Sequence, residues 1–269
     1  MDSVGKSNTK QLTVFLIMHM IKSTFGLILS VMQIIVHLIK SNSVISARHI
    51  FWLRKTGLVT IANFMSMKEC EVLSSQVLLA CSEGLEISIS DSDLRLFNAE
   101  KTIVSLHDFY SNNIVRNIGA SYLGLPIKNS GTMANVVPAG KNTNGSGGSW
   151  HRDSNFPQYK ALVYLSDVDL DEDGAFQYIP KSNRMKYILR EIRQTKRSIS
   201  DTRWTNDELV TFEKSPPISV TGKAGTLVLF DTSLLHRGSP NFNNFLKSRV
   251  AITNYYYPII GSIGHDYAN

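Results

Sequence analysis

The strongest run of apolar positions lies near the start of the chain. Residues 12–39 (LTVFLIMHMIKSTFGLILSVMQIIVHLI) are almost continuously apolar, and Ser23 to Ile39 is seventeen residues without a formal charge, at the lower limit for a membrane span. On a helix at about 100° per residue, His19, Lys22, Gly26, Ser30, Gln33, His37 and Lys40 fall in one narrow polar stripe. A spanning helix that faces lipid needs no such stripe; a helix packed on a domain, in a dimer seam or at a membrane surface does. Residues 1–45 are therefore expected to form an amphipathic helical leader that packs on the rest of the chain, with attachment to a membrane surface through residues 12–39 as the competing arrangement. His19 and His37 are read as stripe residues rather than ligands. Lys22 interrupts the apolar run and no small-residue cleavage pattern follows, which argues against a cleaved signal peptide.

Beyond Ser41 the pattern changes, and residues 46–269 read as one domain. A short helix ends at a Thr56-Gly57 break, a strand covers Leu58 to Ile61, and Ser66 with Glu69 three residues later is a capping-box start for a second helix. SLHDFYSNNIVRNIGASYLG has helical apolar spacing. From about Gly131 onward the signal becomes short strands, TMANVV, KALVYLSDV, GAFQYI, ISV, TLVLF and RVAITNYYY, divided by turn-rich segments such as GKNTNGSGG, DLDEDG and TGKAG. Helices first and many short strands later predict a mainly β fold with flanking α-helices, a double-sheet jelly roll or barrel. The helical insert from Ser182 to Lys214 is placed outside the barrel core.

Composition narrows the setting. Two cysteines, Cys70 and Cys81, form neither a disulfide framework nor a C-x-x-C zinc site, so a reducing, cytoplasmic environment is the default. The net charge of +6 is spread out except between Arg184 and Arg203, where aromatic residues suited to base stacking are not interleaved; that run reads as a solvated helix face first and a binding patch for an acidic partner second, and nucleic acid is not an expected partner.

Candidate chemistry centres on Trp150-His151-Arg152-Asp153. Residues two apart on a strand share a face, so His151 and Asp153 can present an imidazole and a carboxylate to one point inside a barrel. His236, directly after the apolar run GTLVLFDTSLL, is the natural third ligand. Two histidines and a carboxylate form the facial triad of non-haem iron(II) oxygenases, which leaves adjacent positions for a chelating 2-oxo acid and dioxygen. The distal carboxylate of such a co-substrate needs a fixed cation. Arg249, thirteen residues after His236, can pair with it bidentately, and Lys160, nine residues after His151, is a second candidate that either lines the site or points to solvent with Leu162 and Tyr164.

The segments WHRDS, KALVYLSDVDLDEDGAFQYIPKSN and GTLVLFDTSLLHRGSPN, followed by Arg249, resemble the phytanoyl-CoA dioxygenase-like superfamily of iron(II)/2-oxoglutarate oxygenases, over roughly residues 46–257. IFWLRKTGLVTIANFMSMKECEVL is similar to that family's N-terminal helix-strand-helix opening. The resemblance implies a double-stranded β-helix, a cupin-like jelly roll, with His151, Asp153 and His236 as iron ligands and Arg249 as the 2-oxoglutarate anchor; Lys160, Asn135 and Tyr164 are further candidates for contact with the co-substrate. Two departures stand out. The loop between His236 and Arg249 is longer than usual, which keeps Arg237 as an alternative anchor, and GKNTNGSGGS before His151 is rich in Gly and Asn, as expected of a mobile loop over the site.

Competing readings of the same residues are weaker. HRD lacks the asparagine, glycine-rich loop and DFG of a kinase, and GKNTNGSGG lacks the order of a phosphate loop. Asn144-Gly145-Ser146 matters as a sequon only in a secreted chain. Asp167 to Asp173 reads as an acidic hairpin turn rather than a calcium loop, and His49, His107 and His265 have no partner at ligand spacing. The expected activity is hydroxylation of a small-molecule or lipid-like metabolite, coupled to decarboxylation of 2-oxoglutarate to succinate and CO2, with iron(II) and dioxygen. Asp153 disfavours halogenation, since that branch of the family replaces the aspartate. A non-catalytic ligand-binding barrel and a zinc hydrolase using the same ligands are the alternatives.

Overall fold

The computed structural model describes residues 2–39, 45–85, 87–89, 93–139, 149–212, 215–239 and 248–259. In chain order the elements are α1 (Asp2–Ile39), α2 (Ile45–Thr56), β1 (Leu58–Ile61), α3 (Met67–Ser82), β2 (Ile87–Ile89), β3 (Leu94–Leu96), α4 (Ala99–Thr102), α5 (His107–Tyr110), α6 (Asn113–Leu123) and β4 (Ile127–Val137). The second half continues with β5 (Trp150–His151), β6 (Tyr159–Tyr164), β7 (Phe176–Tyr178), α7 (Met185–Thr195), β8 (Arg203–Trp204), α8 (Asn206–Phe212), β9 (Ile218–Val220), β10 (Leu227–Asp231), β11 (His236–Gly238) and β12 (Arg249–Pro258).

Local signals place several boundaries where the sequence puts them. Gly57 sits at φ +89°, a left-handed conformation that costs glycine little, and lets α2 stop one residue before β1 begins. Ser66 and Glu69 cap α3 reciprocally: the Ser66 hydroxyl accepts from the Glu69 backbone N–H and the Glu69 carboxylate accepts from the Ser66 N–H. The helical stretch after Ser105 is broken at Asn112, whose side chain accepts from Val115 N–H and starts α6.

Two antiparallel sheets carry the fold, in the orders β1-β10-β6-β12-β4-β3-β2 and β8-β5-β11-β7-β9. The central strands β6, β10 and most of β12 of the larger sheet are buried on both faces, which is why they read as apolar runs. Ala161, Val163, Leu227, Leu229, Val250 and Ile252 face the helices with Val77 of α3 and Ile118 of α6. The alternate residues Leu162, Tyr164, Val228, Phe230 and Ala251 face inward against Phe176, Tyr178 and Val220 of the smaller sheet. This is the jelly roll expected from the pattern. The insert after Ser182 is mostly helical as expected, but β8 pairs with β5, so Trp204 is drawn into a buried cluster with Trp150, Ile179, Leu209 and Leu235.

Helix α1 lies against the domain by its polar stripe. Phe15, His19, Lys22 and Gly26 are buried. The His19 ring is within 3.1 Å of Asn155 O, and burial, with Lys22 next, lowers its pKa from 6.5 to about 4. Lys22 Nζ pairs with Asp231 at 2.8 Å. Gly26 meets Gly124, the residue that ends α6, so closely that a Cβ on Gly26 would stand 2.3 Å from the Arg54 guanidinium and 2.5 Å from Tyr122 O. The side chains of Ser30, Gln33, His37 and Lys40 lie outside the described residues.

Candidate metal centre

Strand pairing brings the two histidines together. His236 of β11 stands directly opposite His151 of β5 in the sheet register, with ring centroids 4.4 Å apart. The chain leaves β5 after His151 and bends at Asp153, but its backbone is held to neighbouring segments: Arg152 N–H donates to Thr202 O and Asp153 N–H to Thr232 O. The side chains nevertheless alternate through Asp153. His151 and Asp153 face the barrel interior, while Arg152 turns to the other side, fully buried, where it donates to Ser233 O, Ser182 O and the Glu191 carboxylate and packs over Trp204.

Ligand atoms of His151, Asp153 and His236 all lie within 4.8 Å of one another. Asp153 Oδ1 is 3.8 Å from His151 Nε2, and Asp153 Oδ2 is 3.7 Å from His236 Nε2. Each imidazole is oriented from behind. The Nδ1–H of His151 donates to Ser149 O at 3.0 Å and that of His236 to Leu234 O at 2.8 Å, which leaves both Nε2 lone pairs directed at the carboxylate. Phe176 stacks on the His236 ring at 5.3 Å and Phe230 meets its edge at 5.4 Å, fixing the ring plane.

Electrostatics set each group in a ligating state. Burial, reinforced by His236, lowers the pKa of His151 from 6.5 to about 3, and burial likewise lowers that of His236, so both rings are neutral at pH 7. Burial works against ionisation of Asp153, but Lys160 and then the two imidazoles outweigh it and hold the carboxyl far below its usual range. Lys160 is on the inward face of β6, its Nζ 2.8 Å from Asp153 Oδ2 and 3.9 Å from the centre of the Tyr255 ring. Of its two expected orientations the lysine takes the one that lines the site. Burial disfavours its charge, yet Asp153 and then Tyr255 keep its pKa above the usual value.

Arg249 opens β12 and points inward. It is 3% exposed; its Nη1 donates to Gly174 O at 2.6 Å, its Nη2 to Asn135 Oδ1 at 2.9 Å, and its Nε is buried without a hydrogen-bond partner among the described residues. The acidic turn prepares this contact. Asp173 accepts from the N–H groups of Asp169 and Leu170 at 2.8 and 2.9 Å, closing a tight turn that presents the Gly174 carbonyl to Arg249; the turn is not the expected hairpin, since it passes from β6 of the larger sheet to β7 of the smaller one. Asn135 is held in turn by Asp93 at 2.6 Å. The fallback, Arg237, lies elsewhere: it donates to Gln177 and Asn206 and stacks over Trp150. Tyr164 packs in the inner core with its hydroxyl committed to the backbone, donating to Val220 O and accepting from Phe176 N–H, so it serves as wall rather than donor.

Of the remaining expected positions, His107 lies beside Tyr110 in α5 and His49 lines a cavity of about 670 Å³ with Trp52 and Tyr178; neither belongs to the group of ligand atoms formed by the triad. His265, Asn144, the Gly-rich segment 140–148 and the loop 240–247 lie outside the described residues. Sequence reasoning missed the backing groups: Ser149 O, Leu234 O, Phe176, Phe230 and Asp231. Only Arg152 carried a usable signal, since a residue between two inward ligands must face the other way.

A jelly roll that gathers two neutral histidines and one ionised aspartate on its inner wall, with a buried arginine on the inner face of β12, defines the non-haem metal-dependent oxygenase class. The chain belongs to the phytanoyl-CoA dioxygenase (PhyH) family, whose profile matches residues 53–251. Among solved structures it is similar to the epimerase SnoN in complex with Fe3+, alpha-ketoglutarate and nogalamycin RO (TM-score 0.61, 16% identity, 78% of this chain and 82% of that one). HygX from Streptomyces hygroscopicus with nickel and 2-oxoglutarate bound is also similar (0.60, 16%, 79% and 87%), as is the carbocyclase SnoK from nogalamycin biosynthesis (0.59, 17%, 79% and 84%). No curated protein sequence matches this chain.

Proposed function

We propose that this protein is an iron(II)/2-oxoglutarate-dependent hydroxylase of a small-molecule or lipid-like metabolite, with His151, Asp153 and His236 as metal ligands and Arg249 as the co-substrate anchor. The observation that carries the reading is the triad itself: two Nε2 atoms and one carboxylate converge within 4.8 Å. The donor set suits ferrous iron, being two imidazoles and one carboxylate on one side of an inner wall. Iron bound there supplies dioxygen activation coupled to decarboxylation of 2-oxoglutarate.

The chain's own residues have separable tasks. Ser149 O and Leu234 O fix the tautomers of the imidazoles, and Phe176 and Phe230 keep water from the His236 ring. Lys160 holds Asp153 Oδ2 and so sets the rotation of the carboxylate. Arg249 is a buried cation whose hydrogen bonds, among the described residues, reach a carbonyl and a carboxamide, with Nε unsatisfied; a bound carboxylate would pair with it directly. Asn135 acts through Arg249, which it orients.

The structural relatives include enzymes named as an epimerase and a carbocyclase, so the reaction's outcome needs its own test. Purified protein is loaded anaerobically with iron(II), and 2-oxoglutarate is added while the weak visible charge-transfer band of the chelate is followed. The band should vanish in His236→Ala and require more 2-oxoglutarate in Arg249→Ala. Absence of the band despite bound metal would overturn the reading, and succinate formation with a product that gains no oxygen would replace hydroxylation by another oxidative outcome.

A further inference from the structure

Helix α1 is amphipathic in the inverse sense for a surface helix, with its polar stripe turned inward and its apolar arc outward. Ile17, Met20, Phe25, Leu27, Ile28 and Met32 are each 50–63% exposed. The window Gln11–Leu29 has a mean hydropathy of 1.8, enough by length and composition to cross a membrane, yet only 22% of it is buried. A contiguous apolar strip along such a helix is more than a soluble monomer ordinarily leaves in water.

We propose that this outward face of α1 seats the protein on an anionic lipid bilayer, lying in the plane of the interface rather than crossing it. Crossing is opposed by the docking of the stripe. Lys22 is ion-paired with Asp231 in the interior, the Lys22 carbonyl accepts from Arg54, and Gly26 is in backbone contact with Gly124. Passage through hydrocarbon would expose Lys22 unpaired, whereas a helix lying flat sinks its apolar face about 5–10 Å and keeps the stripe in protein.

The neighbours of α1 favour lipid over a second copy of the chain. Helix α7 packs on α1 where Ile188 meets Phe15, and it exposes Lys186, Arg190 and Arg193. Helix α2 flanks the other part of the inner stripe through Arg54 and exposes Phe51 and Trp52, with Lys55 Nζ 4.5 Å from the centre of a Trp52 ring. Arg184, just before α7, donates to Lys55 O, which ties the two flanking helices together. Apolar strip, amphipathic aromatics and basic side chains thus occur together, the composition suited to an anionic headgroup layer. In a two-fold dimer through α1 the basic flanks of both copies would be brought together and repel.

The test uses full-length protein and vesicles of phosphatidylcholine alone or with phosphatidylserine, in flotation and in tryptophan fluorescence. Trp150 and Trp204 are 2% exposed, so a blue shift reports Trp52. The protein should float with the anionic vesicles only, in a salt-sensitive manner. Combining Ile17→Gln, Met20→Gln, Phe25→Gln and Ile28→Gln should lower vesicle affinity at least about tenfold at unchanged thermal stability. Lys186→Gln with Arg190→Gln and Arg193→Gln should lower it only for anionic vesicles. Flotation with neither vesicle would overturn the proposal. So would a lipid-free dimer that the quadruple variant dissolves, which would make the occupant a second copy, and so would equal binding to both vesicles that survives alkaline carbonate, which would indicate a spanning helix.

Discussion

Asp231 is the point where the leader helix and the metal centre meet, and its replacement by asparagine gives a test of that coupling. Five donors converge on its carboxylate: Lys22 Nζ (2.8 Å), Tyr122 OH (2.6 Å) and Asn183 Nδ2 (3.1 Å) on Oδ2, with Ser233 N (2.9 Å) and Ser233 Oγ (2.6 Å) on Oδ1. Asparagine keeps the volume but has one acceptor oxygen, so its amide N–H2 must face donors on one side and Lys22 loses its counter-charge. Removing one partner of a buried ion pair costs about 3–5 kcal/mol. At roughly 2–4 °C per kcal/mol for a chain of this size, Asp231→Asn should melt roughly 6–20 °C lower. Acid titration gives a second readout. Burial opposes ionisation of Asp231 but Lys22 leads the groups that favour it, and its pKa falls from 3.8 to about 2. A lowered folded pKa means stability present above the unfolded value and lost as pH falls through the folded one, so about 2 kcal/mol should disappear between roughly pH 5 and 2. The variant should lack that part of the acid limb. A loss under about 1 kcal/mol at neutral pH, with an unchanged acid limb, would refute the assignment.

Three further outcomes follow from single contacts. Gly26→Ala forces a Cβ against Arg54 and Tyr122 O, so limited proteolysis should cleave α1 faster while the barrel stays folded; equal cleavage rates would show that the close approach does not hold the helix. Asn135→Ala removes the Nη2 acceptor of Arg249 and should raise the KM for 2-oxoglutarate by about tenfold with a smaller change in kcat, measured by succinate release. Ser66→Ala removes one half of the α3 capping box and should cost about 1 kcal/mol in denaturant unfolding without affecting 2-oxoglutarate affinity.

Much of this could be read in the chain because it depends on local periodicity. The strand Leu58–Ile61, the Gly57 break and the Ser66 cap follow from turn and capping chemistry alone, and period-2 alternation aims Lys160, Leu162 and Tyr164 at one face. The triad was legible because His151 and Asp153 are two apart and a long apolar run precedes His236. What periodicity does not encode is pairing. Nothing local says that Arg203 and Trp204 would join β5, that Asn135 would hold Arg249, or that Tyr164 would spend its hydroxyl on Val220 O and Phe176 N–H. Each depends on partners between 12 and 114 residues away in sequence.

Helix α1 shows the same limit in its sharpest form, because a helical wheel yields a stripe but not the side it faces. In a surface helix of a soluble domain the apolar side turns inward, since burying it is what holds the helix in place. Here long-range partners reverse the outcome, Asp231 foremost: 209 residues from Lys22, it ends β10 and opens the turn whose Thr232 O accepts from Asp153 N–H and whose Leu234 O accepts from His236. An uncompensated carboxylate buried at that turn would be costly, and Lys22 is the cation that meets it. The docked stripe then has two consequences at once. It stiffens the turn that orients two of the three triad residues, and it leaves the apolar arc outside, so the surface proposed to meet lipid and the centre proposed to bind iron are linked through one ion pair.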